Sequence, residues 1–249
     1  MSTFPSIAYS DAKTEWIGQT HIVAPTIARA LEDWSLINQK KVLDVGCGTG
    51  SIGHDILENG ALEVVGLDSS KEMIEIAKNT YKDDRHKFLQ MSVLDLDLSH
   101  EFDVAVSFFV LQFMKDKEEL FKAIRNIFES LKETGILVAI VPNGVKDFNP
   151  KREEGQKFGA AINLESDSNL YDGRRLSVEF FSNGEVVGSS KVTFFFNETY
   201  EQVLKEAGFK KVEFLSPVIS ADGIEKYGEK HFQSFMNPPK DIVIRAYKY

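Results

Sequence analysis

The chain reads as an α/β protein built on a doubly wound, mostly parallel sheet, and three observations carry that expectation. The apolar run Lys41-Val42-Leu43-Asp44-Val45 is cut off by Gly46, Gly48 and Gly50 and followed by a helix-compatible segment. A second apolar run, Val64-Val65-Gly66-Leu67, ends on an acid, Asp68. Strand-like and helix-like stretches then alternate along the chain, as repeated strand–helix–strand units require.

Composition limits the partners. At 249 residues, a single α/β domain spanning 1–249 with local insertions accommodates the whole chain. There are 38 acids against 29 bases, a formal charge of −9, and nucleic-acid binding normally needs a basic face, so no nucleic-acid partner is expected. No apolar run reaches the roughly 18 residues of a membrane span, and Met1-Ser2-Thr3-Phe4-Pro5 lacks the basic and apolar parts of a signal peptide; a soluble, cytoplasmic protein is the default expectation. The single cysteine, Cys47, rules out an internal disulfide and a cysteine zinc cage, and the five histidines show no ligand spacing, so no metal is expected.

The N-terminal part, residues 1–36, carries Tyr9 and Trp16 seven residues apart, about two helical turns, which places both rings on one helix face. Ile22, Ile27, Leu31 and Trp34 continue in helical register from His21 to Leu36. The glycine loop that follows the first strand presents bare backbone and a helix N-terminus to a polar ligand. Two ligands fit its pattern. Gly48-Thr49-Gly50-Ser51-Ile52-Gly53 satisfies the dinucleotide fingerprint, with Asp68 near the expected offset. That fingerprint needs its first glycine directly after the strand, however, and here Gly46 already holds the turn, so the best-registered triplet is Gly46, Gly48, Gly50.

That register, with an acid two residues before its first glycine, resembles motif I of the class I S-adenosylmethionine (SAM) dependent methyltransferases, small-molecule type: Val42-Leu43-Asp44-Val45-Gly46-Cys47-Gly48-Thr49-Gly50 carries the acid-x-Gly-x-Gly-x-Gly core intact. The resemblance implies SAM as cofactor and S-adenosylhomocysteine as product. It implies that Asp44 orders the loop and holds the ammonium end of the cofactor, that Gly46, Cys47, Gly48 and Gly50 pack on its amino acid end and ribose, and that Asp68 grips the ribose hydroxyls. A nucleophilic role for Cys47 is not expected, since a small side chain fits this loop. The resemblance also makes Tyr9 and Trp16 part of an N-terminal lid over 1–36, beside the plainer reading of a stripe that holds a helix to the body.

The remaining elements follow in order. Ser51–Asn59 is a helix stopped by Asn59-Gly60, and Leu62–Leu67 is strand two. A helix opens at Ser69 or Ser70; Ser69 and Met73 stand where the family lines the adenine, with Met73 equally suited to helix core. After strand three, Lys87–Met91, this chain has Met91-Ser92 where the family has Gly-Asp, so Ser92 and Val93 take the adenine positions without the acid's charge. Strand four, Phe102–Ser107, leads into Phe108-Phe109-Val110-Leu111-Gln112-Phe113, which resembles the family's fourth-strand loop with Gln112-Phe113 in place of two histidines; Ser107 and Phe108 are expected to face the methionine arm. Lys117–Lys132 is an amphipathic helix ended by Thr134-Gly135, and Ile136–Val141 is strand five.

From Gly144 to Phe196 the pattern departs from a doubly wound core. Arg174–Phe181 and Val186–Phe196 are strand-like and joined by Ser182-Asn183-Gly184-Glu185, a hairpin signal. At this edge of the sheet the region 144–196 is expected to cap a substrate pocket, with a dimerisation arm, and hence a homodimer, as the alternative. Glu198–Ala207 is the last major helix, and Lys211–Leu215 and Asp241–Ala246 are strands six and seven, so the resemblance implies seven strands with the seventh antiparallel and a β-hairpin insertion after strand five. The aromatic stretch Ile224–Pro239 is expected as a loop that closes the pocket's far wall or packs in the core. Methyl transfer is an in-line displacement in which the protein contributes orientation and exclusion of water. The acceptor is expected to be a small molecule, and Tyr9, Tyr171 and His231 are the candidates for a general base. A SAM-binding regulatory protein without catalysis and an NAD-dependent oxidoreductase are the competing readings.

Overall fold

The computed structural model describes residues 12, 13, 15–164 and 169–249. Its main sheet contains β1 (Lys41–Val45), β2 (Glu63–Asp68), β3 (His86–Gln90), β4 (Phe102–Phe108), β5 (Leu131–Pro142), β9 (Lys211–Leu215) and β10 (Asp241–Tyr247), in the order β3-β2-β1-β4-β5-β10-β9. All neighbours are parallel except β10, which runs antiparallel to both β5 and β9. The expected seven strands with an antiparallel seventh are therefore present. The order reverses between β1 and β4, and a crevice at that reversal is where such sheets take ligands.

Both faces of the sheet are buried, which explains why the central strands read as nearly continuous apolar runs. On one face Leu43, Ala105, Leu137 and Ile244 pack against α4 (Lys117–Ser130) and α6 (Asn197–Ala207). On the other, Val42, Val64, Val104 and Val138 pack against α1 (Ala24–Ala30) and α2 (Ser51–Glu58). Helix α3 (Lys71–Thr80) buries Ile74 and Ala77 beside Phe88 and Cys47, and the Oγ of Ser70 caps it by accepting from the Met73 N–H.

Four elements differ from the sequence reading. The stretch His21–Leu36 is not one helix: a π-helical turn over Gln19–Val23 precedes α1, and a 3-10 turn over Ser35–Ile37 follows it. Helix α4 ends at Ser130 rather than Lys132, because Leu131 is drawn into β5 opposite Phe102 and is fully buried there. The 144–196 region holds a short helix, α5 (Arg152–Gln156), and three antiparallel strands, β6 (Ala160–Asn163), β7 (Arg174–Ser182) and β8 (Glu185–Phe194), in the order β6-β7-β8. The expected hairpin is β7–β8; β6, four residues of weak alternation, had no signal of its own. Finally, Ile224–Pro239 is not a loop but two helices, α7 (Ala221–Tyr227) and α8 (Glu229–Met236), whose Phe232 is fully buried beside Phe158 and Ile22. Nothing but Gly228 breaks the helical spacing there.

The hairpin turn shows how local sequence sets the insertion. Ser182 pairs with Glu185, and Asn183 and Gly184 both have positive φ, 50° and 83°, as a type I′ turn demands. One face of the small sheet buries Leu176, Val178, Phe180, Val192 and Phe194 around Phe148.

Candidate functional site

Three glycines shape the loop after β1. Gly46, Gly48 and Gly50 all have positive φ (71°, 54° and 83°), a conformation costly to any residue with a Cβ. At Gly46 space is also lacking, since a Cβ would lie 2.3 Å from Cγ2 of Val110. Gly53 lies inside α2, where a Cβ would meet His86 instead. The loop thus adopts the Gly46-Gly48-Gly50 register.

The carboxylate of Asp68 ties this loop to the next strand. Its Oδ2 accepts from the Gly48 N–H at 3.0 Å and its Oδ1 from the Ser70 N–H at 2.8 Å. Burial raises its pKa, partly opposed by those two hydrogen bonds. Behind the loop, Asp44 is 3% exposed, and its Oδ2 has no hydrogen-bond partner. Desolvation, reinforced by the charge of Asp68, pushes it up to about 7, while the ammonium of Lys13 acts the other way. The loop's first two N–H groups, of Gly46 and Cys47, are bonded to the Leu67 carbonyl and not to Asp44. The same burial and the two carboxylates hold the Cys47 thiol well above its usual range, which leaves it without nucleophilic character.

Gly46, Cys47, Gly48 and Asp68, but not Asp44, open onto a cavity of about 850 Å³. That is near the upper end of the roughly 300–1,000 Å³ of small-ligand sites. Gly46, Cys47, Gly48, Asp68, Ser69, Met73, Ser92, Val93 and Phe108 of the expected set line it, as does Trp16 from the N-terminal part. Met73 combines both readings, since it is buried in α3 and also reaches the cavity wall. The Oγ of Ser92 accepts from the Leu94 N–H at 3.2 Å, which leaves its hydroxyl proton and one lone pair for a ligand. Trp16 is fixed to the insertion: its Nε1 donates to the Phe181 carbonyl at 2.6 Å and its ring stacks on Phe180 at 6.0 Å.

Other expected residues lie elsewhere. Ser107 is fully buried and absent from the cavity wall, because successive side chains of β4 point to opposite faces and Phe108 takes the cavity side. Gly50 supports the loop from beneath, against Phe88 and Tyr81. Tyr171 is 61% exposed and outside the cavity, so it is not placed to act as a base. His231 stacks on Tyr227 and borders a separate surface hollow with Lys157 and Lys230, so it too is removed from the site. Tyr9 lies outside the described residues.

Several cavity residues carried no readable signal. Phe109 has a φ of 61°, a strained value for an aromatic residue, and lines the wall beside Val110 and the buried Gln112. Phe148, Phe158, Val178 and Phe180 give the insertion side an apolar surface. Asp241 and Lys240 enter from the start of β10; burial pushes Asp241 up to about 7 and Lys240 below the usual lysine range. Among the described residues there is no group of three or more side chains able to hold a metal ion, and no helix long and apolar enough to cross a membrane.

The family described as "Methyltransferase domain" matches residues 42–135, the span from β1 into β5. Among named relatives, the methyltransferase-like protein 235L of Invertebrate iridescent virus 6 is 32% identical over 114 residues, 45% of this chain and 42% of that protein. YqeM of Bacillus subtilis is 29% identical over 196 residues, 71% of this chain and 76% of that one. The chain thus matches less than half the length of the first and about three quarters of the second. A SAM-dependent methyltransferase of Mesorhizobium loti superposes with a TM-score of 0.62 at 18% identity, over 88% of this chain and 95% of that one. Residues 42–135 therefore match a methyltransferase domain, and the chain shares the fold of the solved SAM-dependent methyltransferase.

Proposed function

We propose that the protein binds SAM at the glycine-loop end of the cavity and transfers its methyl group to a small molecule held under the 144–196 insertion. The observation that carries this reading is that one continuous cavity joins the glycine loop and Asp68 to the apolar face of the inserted sheet. The residues present fit the cofactor. Asp68 is oriented by two backbone N–H donors and keeps lone pairs for ribose hydroxyls, and the unpartnered Oδ2 of Asp44 supplies negative potential behind the loop for a cationic group. When bound, SAM supplies a methyl group on a positively charged sulfur, and the chain's part is alignment and exclusion of water.

In this reading the described residues of the N-terminal part, 12, 13 and 15–36, belong to a lid and Trp16 is its latch, since its hydrogen bond to Phe181 and its stack on Phe180 join that part to the insertion. The insertion is the substrate cap. The cavity volume and the apolar wall favour a small acceptor over a macromolecule.

Calorimetric titration with S-adenosylhomocysteine and with NADH tests the cofactor, and transfer of isotope-labelled methyl from SAM into a metabolite extract tests catalysis. Binding of the thioether product together with label transfer is expected. Preference for NADH would reject the reading. Binding without transfer would favour the regulatory alternative, to which Ser92 in place of the family's acid lends weight.

A further inference from the structure

One polar group in the cavity stands apart from the glycine loop and Asp68. The chain enters β10 antiparallel to β5, so Asp241, the first residue of β10, pairs with Pro142, the last of β5. An antiparallel strand begins where its parallel neighbours end, which sets Asp241 on the carboxyl edge of the sheet, the ligand-binding side. With neighbouring strands about 4.8 Å apart, β10 lies roughly 10 Å from β4 and roughly 15 Å from β1, beside the glycine-loop end and not within it. Asp241 lines the cavity there with Pro142, Phe148 and Phe235. Among the described residues its carboxylate meets no hydrogen-bond donor or ion-pair partner, and burial alone raises its pKa, to about 7. Half-buried carboxyl groups left without partners are costly, and they gather at functional sites.

We propose that Asp241 is the general base for the acceptor, and that the acceptor is an apolar, ring-sized molecule whose nucleophile is a hydroxyl group. This rests on the methyl-transfer reading above and adds to it the substrate class and the base. The charged groups that share this part of the wall select against an amine. Lys240 precedes Asp241, its Nζ near the Asn149 carbonyl at 3.4 Å and opposed by the charge of Asp147, and the exposed Lys151 stands at the cavity rim just before α5. Glu154 of α5 is engaged by Lys157 at 2.8 Å, whereas β5 and α8 contribute Pro142 and Phe235, which do not titrate. A protonated amine would enter past the ammonium of Lys151 at the rim and beside Lys240; a neutral hydroxyl meets no such repulsion.

In the step itself an oxygen lone pair of the acceptor forms the new O–CH₃ bond. The methyl–sulfur bond breaks with its electron pair left on sulfur, and the hydroxyl proton passes to the Asp241 carboxylate. The resulting carboxylic acid is neutral in an apolar wall, and it loses the proton to solvent once the product leaves.

The test uses two phenols as probes. 4-Nitrophenol is ionised in mildly alkaline buffer and needs no base, whereas 4-methylphenol does. Asp241→Asn should lower turnover of 4-methylphenol by about 100-fold or more, within the usual range of general-base contributions, and that of 4-nitrophenol by less than about tenfold. Equal losses for the two phenols, or none, would overturn the assignment. In the wild-type protein, carbon NMR of labelled aspartate should show Asp241 titrating near neutrality when S-adenosylhomocysteine is bound; an ordinary carboxylate titration would overturn it without recourse to any variant. If the protein binds S-adenosylhomocysteine but neither phenol, the acceptor class falls while the cofactor reading stands. If it does not bind S-adenosylhomocysteine, both fall.

Discussion

Replacing Asp44 by asparagine separates the electrostatic cost of the site from its use. Asp44 is buried with Oδ2 unpartnered, and its pKa in the folded chain is raised from 3.8 to about 7, chiefly by desolvation. A folded-state pKa above the unfolded one means that the stabilising contribution is complete below about 3.8 and is lost as the pH rises through about 7. The ceiling on that loss is about three pKa units at 1.36 kcal/mol each, or about 4 kcal/mol, and about 2–3 kcal/mol of it falls between roughly pH 5 and pH 8. The amide cannot ionise. It carries its own cost for buried donors without acceptors, but that cost does not vary with pH. Urea unfolding of the ligand-free protein should therefore show the Asp44→Asn variant gaining on the wild type by up to about 3 kcal/mol as the pH is raised from roughly 5 to 8. In the same variant SAM should bind more weakly, by about tenfold, because the negative potential behind the loop is lost. Parallel stability curves would refute the electrostatic argument, because they would mean that Asp44 titrates as it does in the unfolded chain.

Gly46→Ala should cost about 1–2 kcal/mol for its positive φ and about 1–3 kcal/mol more for the collision with Val110, read from the urea midpoint; adding Val110→Ala should return only the second part. Asp68→Ala should weaken S-adenosylhomocysteine binding by about 1–3 kcal/mol in calorimetry, and an unchanged dissociation constant would remove Asp68 from the site. Trp16→Phe keeps the stacked ring but loses the 2.6 Å hydrogen bond to Phe181, so the global unfolding midpoint should fall by no more than about 1 kcal/mol while limited proteolysis near the N-terminus speeds up. Equal proteolysis rates would show that Trp16 does not hold the lid closed.

The legible parts of this protein are those in which neighbouring residues carry the constraint. Gly46, Gly48 and Gly50 announce themselves because positive φ in a tight loop excludes other residues, and Asn183-Gly184 announces the hairpin for the same reason. The apolar runs of β1, β2, β4 and β5 are visible because a sheet covered on both faces needs apolar side chains on both. Less visible are features that depend on what a residue meets far along the chain. Helix α4 stops at Ser130 because Leu131 pairs with Phe102, and the aromatic stretch of α7 and α8 is settled as helical core only by the packing of Phe232 against Phe158 and Ile22.

The amino-acid order by itself determined the apolar strands around the glycine loop, the register of that loop and the place of Asp68 at the end of β2, since each follows from backbone preferences and apolar spacing within a few dozen residues, while the antiparallel seventh strand was implied by the family resemblance. Only the tertiary structure decided which polar groups share the cavity. It set Tyr171 and His231 outside, turned Ser107 into the core and brought Asp241 to the carboxyl edge. An acid at the head of an apolar strand looks like an ordinary surface residue until the direction of that strand is known. It is the antiparallel pairing of β10 with β5 that carries this carboxylate to a half-buried place in an apolar pocket wall and leaves it without a partner among the described residues.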